Sequence, residues 1–379
     1  MIKKILLIEI APDYKIGGTE TYNRNLANIL HIHYDDIQVD RVSLYESKKN
    51  TDANFPNDHY YSIKPWWLKQ NHAATFNYIE LAVNVLKFRK LVYYLNSIND
   101  YDLIIDSTVT TFKKFSNLPN YFWIQHNTPQ FYSHDIFPTW KKYFVNVCQS
   151  FFGIKNNLYF CKNIVLFDKY NLDYVKKNRK SSFNFYLISP SQDLPFVNYQ
   201  VINDMLATRS RLVYFGRIES RQKNIKLLIN LNRHLNLIDF YGSGDQELIN
   251  QLGKNYKGFI SPTEDKFKIL NKYKYMILMS NYEGFPFSLA QSLACGLPII
   301  IKNSFVSAAS LVNKNQNGFL LNKNSSIEEY SNLIKKIYNI PLSKYSELCK
   351  NSYEYALNNL SFDIFEKKWI SIFEKYLNN

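Results

Sequence analysis

The feature that most constrains the fold is a regular alternation of short apolar runs and longer amphipathic segments. The apolar runs are continuous, as in Ile5–Ile10 and Leu103–Asp106, which is typical of parallel strands buried on both faces. Between them lie helical patterns such as Thr19–Leu30 and Thr75–Ile98. The alternation predicts βαβ units and an α/β fold. The other predicted strands are Ile37–Leu44, Tyr121–Gln125, Asn163–Phe167, Arg211–Phe215, Leu237–Tyr241, Tyr275–Ser280 and Leu297–Ile301.

The alternation restarts near residue 211, after the irregular stretch Ser189–Asn203. A chain of 379 residues is long enough for two domains of ordinary size. We therefore predict a first domain over residues 1–190 and a second over 195–361. Because open parallel sheets bind ligands beyond the carboxyl ends of their strands, we expect the functional residues at those ends, in a cleft between the two domains.

Composition excludes several classes of protein. The chain is 46% hydrophobic, but no apolar run reaches the roughly 20 residues that a membrane helix requires. The segment Lys3–Glu9 is too short in its apolar part for a signal peptide and is better explained as a strand. Four scattered cysteines suggest neither disulfides nor a zinc site, so we expect a cytoplasmic protein.

Residues 139–180 carry a charge of +7, which is half of the net charge of +14 and all of the excess in residues 1–190. Trp140, Phe144, Val147 and Phe151 fall on one face of a helix flanked by lysines, and Trp66-Trp67 lies beside Lys69. Such a helix could rest on an anionic membrane or pack against the sheet of its own domain, and the sequence leaves both open. The basic residues are Lys141, Lys142, Lys155, Lys162, Lys169, Lys176, Lys177, Arg179 and Lys180, opposed by Asp168 and Asp173.

Glycines follow the first predicted strand and open the first helix. Gly17 and Gly18 would let the backbone approach a ligand, and the N–H groups of the helix N-terminus can bind an anion. The alternative is a loop that needs glycine only for its conformation. The two residues by themselves do not decide between these interpretations.

Two cations follow the first strand of the second half. Arg217 stands directly after that strand and Lys223 begins the next helix, a placement that suits a diphosphate. The alternative is a pair of solvated surface charges. After the next strand, Tyr241–Asp245 contains Gly242 and Gly244, which we interpret as a tight turn with Asp245 capping the following helix.

The segment Ser280–Pro298 carries the most chemical information. It begins at a strand end, places Glu283 in a turn, and continues into a helix of small and apolar residues. Gln291 lies about two turns into that helix, where a buried amide needs polar partners.

In this order and spacing, the motifs resemble the GT-B glycosyltransferases of retaining family 4. The resemblance covers roughly residues 1–320 and implies two doubly wound Rossmann-like domains that face each other across a cleft. The first would bind the acceptor and the second the donor, with a C-terminal helix over 362–379 packed back on the first. The motifs are Gly17-Gly18, Gly216-Arg217 with Lys223-Asn224, Tyr241–Asp245, Glu283–Pro286 with Cys295–Pro298, and Asn317–Leu320.

The resemblance also implies roles for individual residues. Arg217 and Lys223 would hold the donor diphosphate with help from the Gly17 and Gly18 backbone, and Glu283 would contact the donor sugar as a catalytic residue. His126, which the residues alone indicate as structural, matches a catalytic histidine near the reacting sugar. The remaining expected contacts are the backbone of Gly284, Phe285 and Phe287 with the sugar and phosphates, Gln291 with the ribose, and Gly242 and Gly244 near the nucleotide.

The chain departs from the family at Gln291, where the signature has a second glutamate. An amide oxygen still accepts a hydrogen bond but lacks the charge that strengthens it, so we expect altered nucleotide binding with the chemistry intact.

Asp100-Tyr101-Asp102 resembles a metal-binding DxD motif, but it precedes a strand and lies at the wrong end for a ligand. We expect no metal and no cofactor.

The implied reaction moves a sugar from a nucleotide-diphosphate sugar, most simply a UDP-sugar, to the hydroxyl of a glycan or lipid-linked acceptor with retention. The implied setting is bacterial surface polysaccharide or glycolipid synthesis, with the protein peripheral on the inner face of the membrane. Two alternatives stay open: an inactive partner subunit of the same fold, and a nucleotide-sugar epimerase or hydrolase. A nucleic-acid binder is disfavoured because no nucleic-acid module is recognisable.

Overall fold

A computed structural model describes most of the chain. The described residues are 2–10, 17–44, 55, 57–63, 78–108, 112–127, 160–179, 181–192, 196–260, 265–312 and 316–377. The chain divides into two compact units, which are Met1–Ile188 together with Phe365–Asn379, and Ser189–Ile364. The predicted helix face at Trp140–Phe151 and the Trp66-Trp67 pair lie outside the described residues.

The first unit is built on a seven-stranded parallel sheet in the order β3-β2-β1-β4-β5-β6-β7. Its central strands are buried on both faces, which explains their continuous apolar sequences. Its strands are β1 (Lys3–Glu9), β2 (Ile37–Ser43), β3 (His59–Ser62), β4 (Leu103–Asp106), β5 (Tyr121–Ile124), β6 (Asn163–Leu166) and β7 (Asn184–Leu187). Its helices are α1 (Gly18–His33), α2 (Tyr78–Ile98) and α3 (Lys169–Asn178).

The second unit holds a five-stranded parallel sheet in the order β12-β11-β10-β8-β9. Its strands are β8 (Ser210–Phe215), β9 (Ile238–Tyr241), β10 (Tyr273–Leu278), β11 (Ile299–Lys302) and β12 (Gly318–Leu321). Its helices are α4 (Tyr199–Met205), α5 (Ile225–Leu235), α6 (Gln246–Leu252), α7 (Lys266–Leu270), α8 (Phe287–Ala294), α9 (Ala308–Val312), α10 (Ile327–Tyr338) and α11 (Leu342–Leu360), with short 3-10 turns at Leu206–Thr208 and Gly253–Asn255.

A final helix, α12 (Phe362–Leu377), contributes its residues from Phe365 onward to the first unit. Its Trp369 is fully buried, and the indole Nε1 donates to the Tyr22 hydroxyl at 3.2 Å. Phe365 packs edge-on against the same tyrosine ring. Burial of these large aromatic surfaces anchors the end of the chain to helix α1.

The prediction of two doubly wound α/β sheets is confirmed, and nine strands were predicted within a few residues of their bounds. Strands β3, β7 and β12 were missed. They are only four residues long, lie at sheet edges and are largely only partly buried, so they do not show the long apolar runs of strands buried on both faces. Among the described residues, no helix is long and apolar enough to cross a membrane.

Candidate active site

The loop after β8 places Arg217 at the carboxyl edge of the second sheet. Gly216 adopts φ +156°, a conformation that side chains disfavour, as the chain leaves the strand. The carbonyl of Arg217 accepts a hydrogen bond from the buried Tyr214 hydroxyl at 2.6 Å. Burial raises the pKa of Tyr214 well above its ordinary value, and the nearby Glu283 and Glu219 carboxylates raise it further, so the phenol remains a donor.

The two glycines of the neighbouring turn shape this loop. Gly242 and Gly244 have φ +150° and +154°, and a Cβ at Gly242 would overlap the Gly216 carbonyl oxygen. Backbone hydrogen bonds join the turn to the loop, from Gly216 N to Tyr241 O and from Ile218 N to Ser243 O. Both glycines therefore fit against the Arg217 loop. The predicted cap is confirmed, since the Asp245 side chain accepts from the first N–H groups of α6.

The next turn presents Lys223. The Glu219 carboxylate accepts hydrogen bonds from the backbone N–H groups of Arg221, Gln222 and Lys223, at 2.7–3.1 Å. Asn224 follows in the left-handed region at φ 56°, and α5 begins directly after it. Glu219 was not singled out in the sequence.

Lys223 and Glu283 meet although 60 residues separate them in the chain. Lys223 Nζ lies 2.6 Å from Glu283 Oε1, and the two side chains are 12% and 4% exposed. The pair forms because β8 and β10 are hydrogen-bonded neighbours, so the loops after them share one edge of the sheet.

Gln222 completes this cluster and was missed in the sequence analysis. Its Nε2 donates to Glu283 Oε2 at 3.0 Å, while its Oε1 accepts from Arg217 Nη2 at 2.8 Å. Arg217 itself is exposed, but this contact ties its guanidinium to the Lys223–Glu283 pair. The only signal in the sequence is that Gln222 directly precedes Lys223.

The Glu283 loop leads into α8, whose N-cap Pro286 supplies no side-chain cap. A helix N-terminus without a side-chain cap can present backbone N–H groups to an anion. The Gly284 carbonyl accepts from Ser307 Oγ at 3.3 Å, and the Phe285 ring lies edge-on to that of Phe287. Gln291 is buried within the same helix, one turn after its start rather than the two turns expected, because the helix begins only at Phe287.

A buried lysine supports the same edge of the sheet from β11. Lys302 Nζ donates to Asn281 Oδ1 at 2.8 Å, and burial lowers the pKa of Lys302 to about 8. Asn281 in turn binds the backbone of the Lys223 loop, from its N to Gln222 O and from its Nδ2 to Arg221 O. Neither residue was anticipated from the sequence, because isolated polar residues at strand ends form no motif.

The remaining predicted site residues lie in the first unit. Gly17 is the N-cap of α1 in an extended conformation, and a Cβ there would overlap the Glu20 carboxylate. An acidic side chain of the protein thus lies at the helix N-terminus where the Gly17 and Gly18 backbone was expected to receive a phosphate. Asp102 precedes β4 and accepts from Lys4 N, far from the carboxyl ends of the strands, as predicted.

His126 follows β5 at the carboxyl end of the first sheet. Its ring lies edge-on to Tyr22 and Phe167, with centroid distances of 5.1 and 5.5 Å. Its Nε2 is shut off from solvent and has no hydrogen-bond partner among the described residues. Burial lowers the pKa of His126 to about 3, so the imidazole is neutral at physiological pH.

Comparison with known families bears on the second unit. Residues 203–358 match the family model described as glycosyl transferases group 1. The matched range includes Arg217, Lys223 and Glu283. A search of curated proteins found no match.

Solved structures match over nearly the whole chain. Sucrose-phosphate synthase from Thermosynechococcus elongatus is 14% identical with a TM-score of 0.75, and the match covers 98% of each chain. WaaG, a glycosyltransferase involved in lipopolysaccharide biosynthesis, is 11% identical with a TM-score of 0.68 over 100% of both chains. Anabaena HepE, solved with UDP and glucose, is 15% identical with a TM-score of 0.64, covering 98% of this chain and 100% of that one. The predicted resemblance to GT-B glycosyltransferases is confirmed at the level of the fold.

Proposed function

We propose that this GT-B-fold chain, whose residues 203–358 match the glycosyl transferases group 1 family, transfers a sugar from a UDP-sugar to an acceptor hydroxyl with retention. The observation that carries the proposal is the Lys223–Glu283 pair at the carboxyl ends of β8 and β10. A cation and a carboxylate held together at this edge match the two halves of the donor, a diphosphate and a polyhydroxylated sugar.

Lys223 and Arg217 would stabilise the leaving diphosphate. An ammonium has three N–H donors, and the Glu283 contact uses one, so Lys223 keeps donors for phosphate oxygens. Negative charge grows on the diphosphate as the glycosidic bond breaks, and fixed cations then bind more strongly than in the ground state. We propose that this fixed charge performs the neutralisation without a metal ion.

Glu283 would orient the donor sugar. Each of its oxygens accepts one protein hydrogen bond, and a carboxylate has about four acceptor positions, so sugar hydroxyls can occupy the others. The backbone of Gly284, Phe285 and Phe287 and the N-terminus of α8 would face the phosphates. Gln291, one turn further along the helix, would accept from the ribose.

The first unit would bind the acceptor, a glycan or lipid-linked sugar of a bacterial surface polymer. HepE, solved with UDP and glucose, and WaaG, named for lipopolysaccharide biosynthesis, favour this class of reaction. His126 would contribute a neutral imidazole, which can donate or accept a hydrogen bond but supplies no positive charge.

The described residues of the basic stretch 139–180, together with the neighbouring strand β7, favour an anionic membrane as a docking surface. On α3 and β7, Lys176 Nζ lies 4.6 Å from the centre of the Phe185 ring, and Tyr170 and Phe185 are exposed. Cations beside exposed aromatic rings suit a lipid headgroup region. Sedimentation with vesicles containing anionic lipid, but not with neutral vesicles, tests this, and equal sedimentation with both would contradict it.

The function is tested by incubating the protein with a panel of nucleotide sugars and candidate glycan acceptors in the presence of EDTA. We expect glycosylated product from a UDP-sugar, with the same anomeric configuration as the donor by NMR. Release of free sugar, or an epimerised donor, would favour a hydrolase or epimerase. A chain that binds no nucleotide sugar would be an inactive relative.

A further inference from the structure

Gln222 lies between two site residues that carry opposite charge. Its Oε1 accepts from Arg217 Nη2 at 2.8 Å and its Nε2 donates to Glu283 Oε2 at 3.0 Å. The amide therefore joins the exposed guanidinium to the buried carboxylate, which Lys223 contacts from its other oxygen.

The chemistry of the two partners selects an amide at this position. A guanidinium only donates hydrogen bonds and an ionised carboxylate only accepts them, so the side chain between Arg217 and Glu283 must present one acceptor and one donor. Both contacts demand the same orientation of the Gln222 amide. A glutamate here would oppose the Glu283 carboxylate, and a lysine would oppose the Arg217 guanidinium.

The backbone of Gln222 is fixed from two sides. Its N–H donates to the Glu219 carboxylate, and its carbonyl accepts from Asn281 N at 2.7 Å. Asn281 is in turn held by Lys302 Nζ, which donates to its Oδ1. The backbone is therefore already ordered, so binding Arg217 and Glu283 costs only the rotamer entropy of the Gln222 side chain.

We infer that Gln222 is a positioning residue that couples Arg217 to Glu283. It orients the carboxylate and draws the guanidinium toward the diphosphate site, acting through these two residues. The inference rests on the proposed function, because it assigns Gln222 to the nucleotide-sugar site of the second unit.

The test measures binding of nucleoside diphosphates by calorimetry, with wild-type protein first titrated with UDP, GDP, ADP, CDP and dTDP. For the diphosphate that binds, we expect Gln222→Met to weaken affinity about three- to tenfold, the size of one or two lost hydrogen bonds. Gln222→Glu should weaken it more than Gln222→Met, because it places a second carboxylate against Glu283.

The exchange Q222E/E283Q is the rescue variant. It restores one amide and one carboxylate to the pair, so we expect tighter diphosphate binding than with Q222E alone. The matched control for added charge is Gln251→Glu on the exposed face of α6, which should bind as wild type does.

The outcomes separate the two claims. Wild-type protein that binds none of the five diphosphates overturns the proposed function and this inference with it. Wild-type binding together with unchanged affinity in Q222M, or with no gain from the exchange over Q222E, overturns the inference and leaves the proposed function standing.

Discussion

Lys223 Nζ and Glu283 Oε1 lie 2.6 Å apart and join the loop after β8 to the loop after β10. Both side chains are largely withdrawn from solvent, so each charge depends on the other. In the proposed reaction a bound diphosphate would share the ammonium with the carboxylate. The pair would therefore hold both groups in place before the donor arrives.

Lys223→Met should lower kcat/KM for sugar transfer by about 100-fold or more, the usual size of a lost transition-state contact with developing negative charge. The matched control is Lys226→Met, an exposed lysine in the first turn of α5, which should retain wild-type kinetics. A kcat/KM for Lys223→Met within threefold of wild type would remove the lysine from the mechanism.

The sequence predicts the central strands and the charged residues of the site for the same physical reason. Strands buried on both faces are continuously apolar, and the residue that follows such a strand lies at the ligand-binding edge. Arg217, Lys223 and Glu283 could be located in this way. Edge strand β3 could not, because a half-exposed strand tolerates His59 and Ser62.

The residues that support the charged pair could not be predicted from the sequence, for a different reason. Gln222 and Asn281 acquire their roles only when two loops about 60 residues apart come together, and Lys302 only through the end of a third strand, β11. A single polar residue in a loop has no periodicity, so its partners cannot be inferred before the strand order is known. The Glu20 carboxylate beside Gly17 is a similar case, since the sequence suggests a free helix N-terminus.

Gly242→Ala should both destabilise the second unit and weaken diphosphate binding. The new Cβ would overlap the Gly216 carbonyl and displace the loop that carries Arg217. Gly253→Ala is the control, because Gly253 also has a positive φ but has open space around its Cβ position. We expect that control to lose about 1 kcal/mol of unfolding free energy from backbone strain alone, with binding unchanged. Equal binding losses in both variants would show that the contact with Gly216 is unimportant.

Gln291→Glu should tighten binding of the nucleoside diphosphate. If Gln291 accepts from the ribose, a carboxylate at the same place makes a charge-assisted hydrogen bond, which is about twice as strong as a neutral one. Calorimetry should then give a dissociation constant several-fold lower than that of wild type. Gln251→Glu supplies the same charge away from the site. Weaker binding by Gln291→Glu would contradict the ribose assignment.

Deprotonation of the buried Asp106 carboxyl should make the first unit less stable as the pH rises. The carboxyl is fully buried at the end of β4, and burial raises its pKa to about 7, although hydrogen bonds from Tyr121 and Thr108 oppose the shift. Between pH 4 and pH 7 the folded chain holds this proton while the unfolded chain has released it. The stability that Asp106 contributes is therefore fully present below about pH 4 and is lost as the pH rises toward 7.

Asp106→Asn removes that titration, so its urea midpoint should move upward relative to wild type as the pH is raised from 4.5 to 7.5. His126 makes the opposite contribution to the pH dependence of stability, because its lowered pKa destabilises the fold as the pH falls from about 6.5 toward 3. Wild type and variant share this contribution, so it cancels when the two are compared at the same pH. The surface variant Asp35→Asn serves as the control for loss of one carboxylate. A constant difference between Asp106→Asn and wild type at all pH values would show that the folded chain does not retain the Asp106 proton.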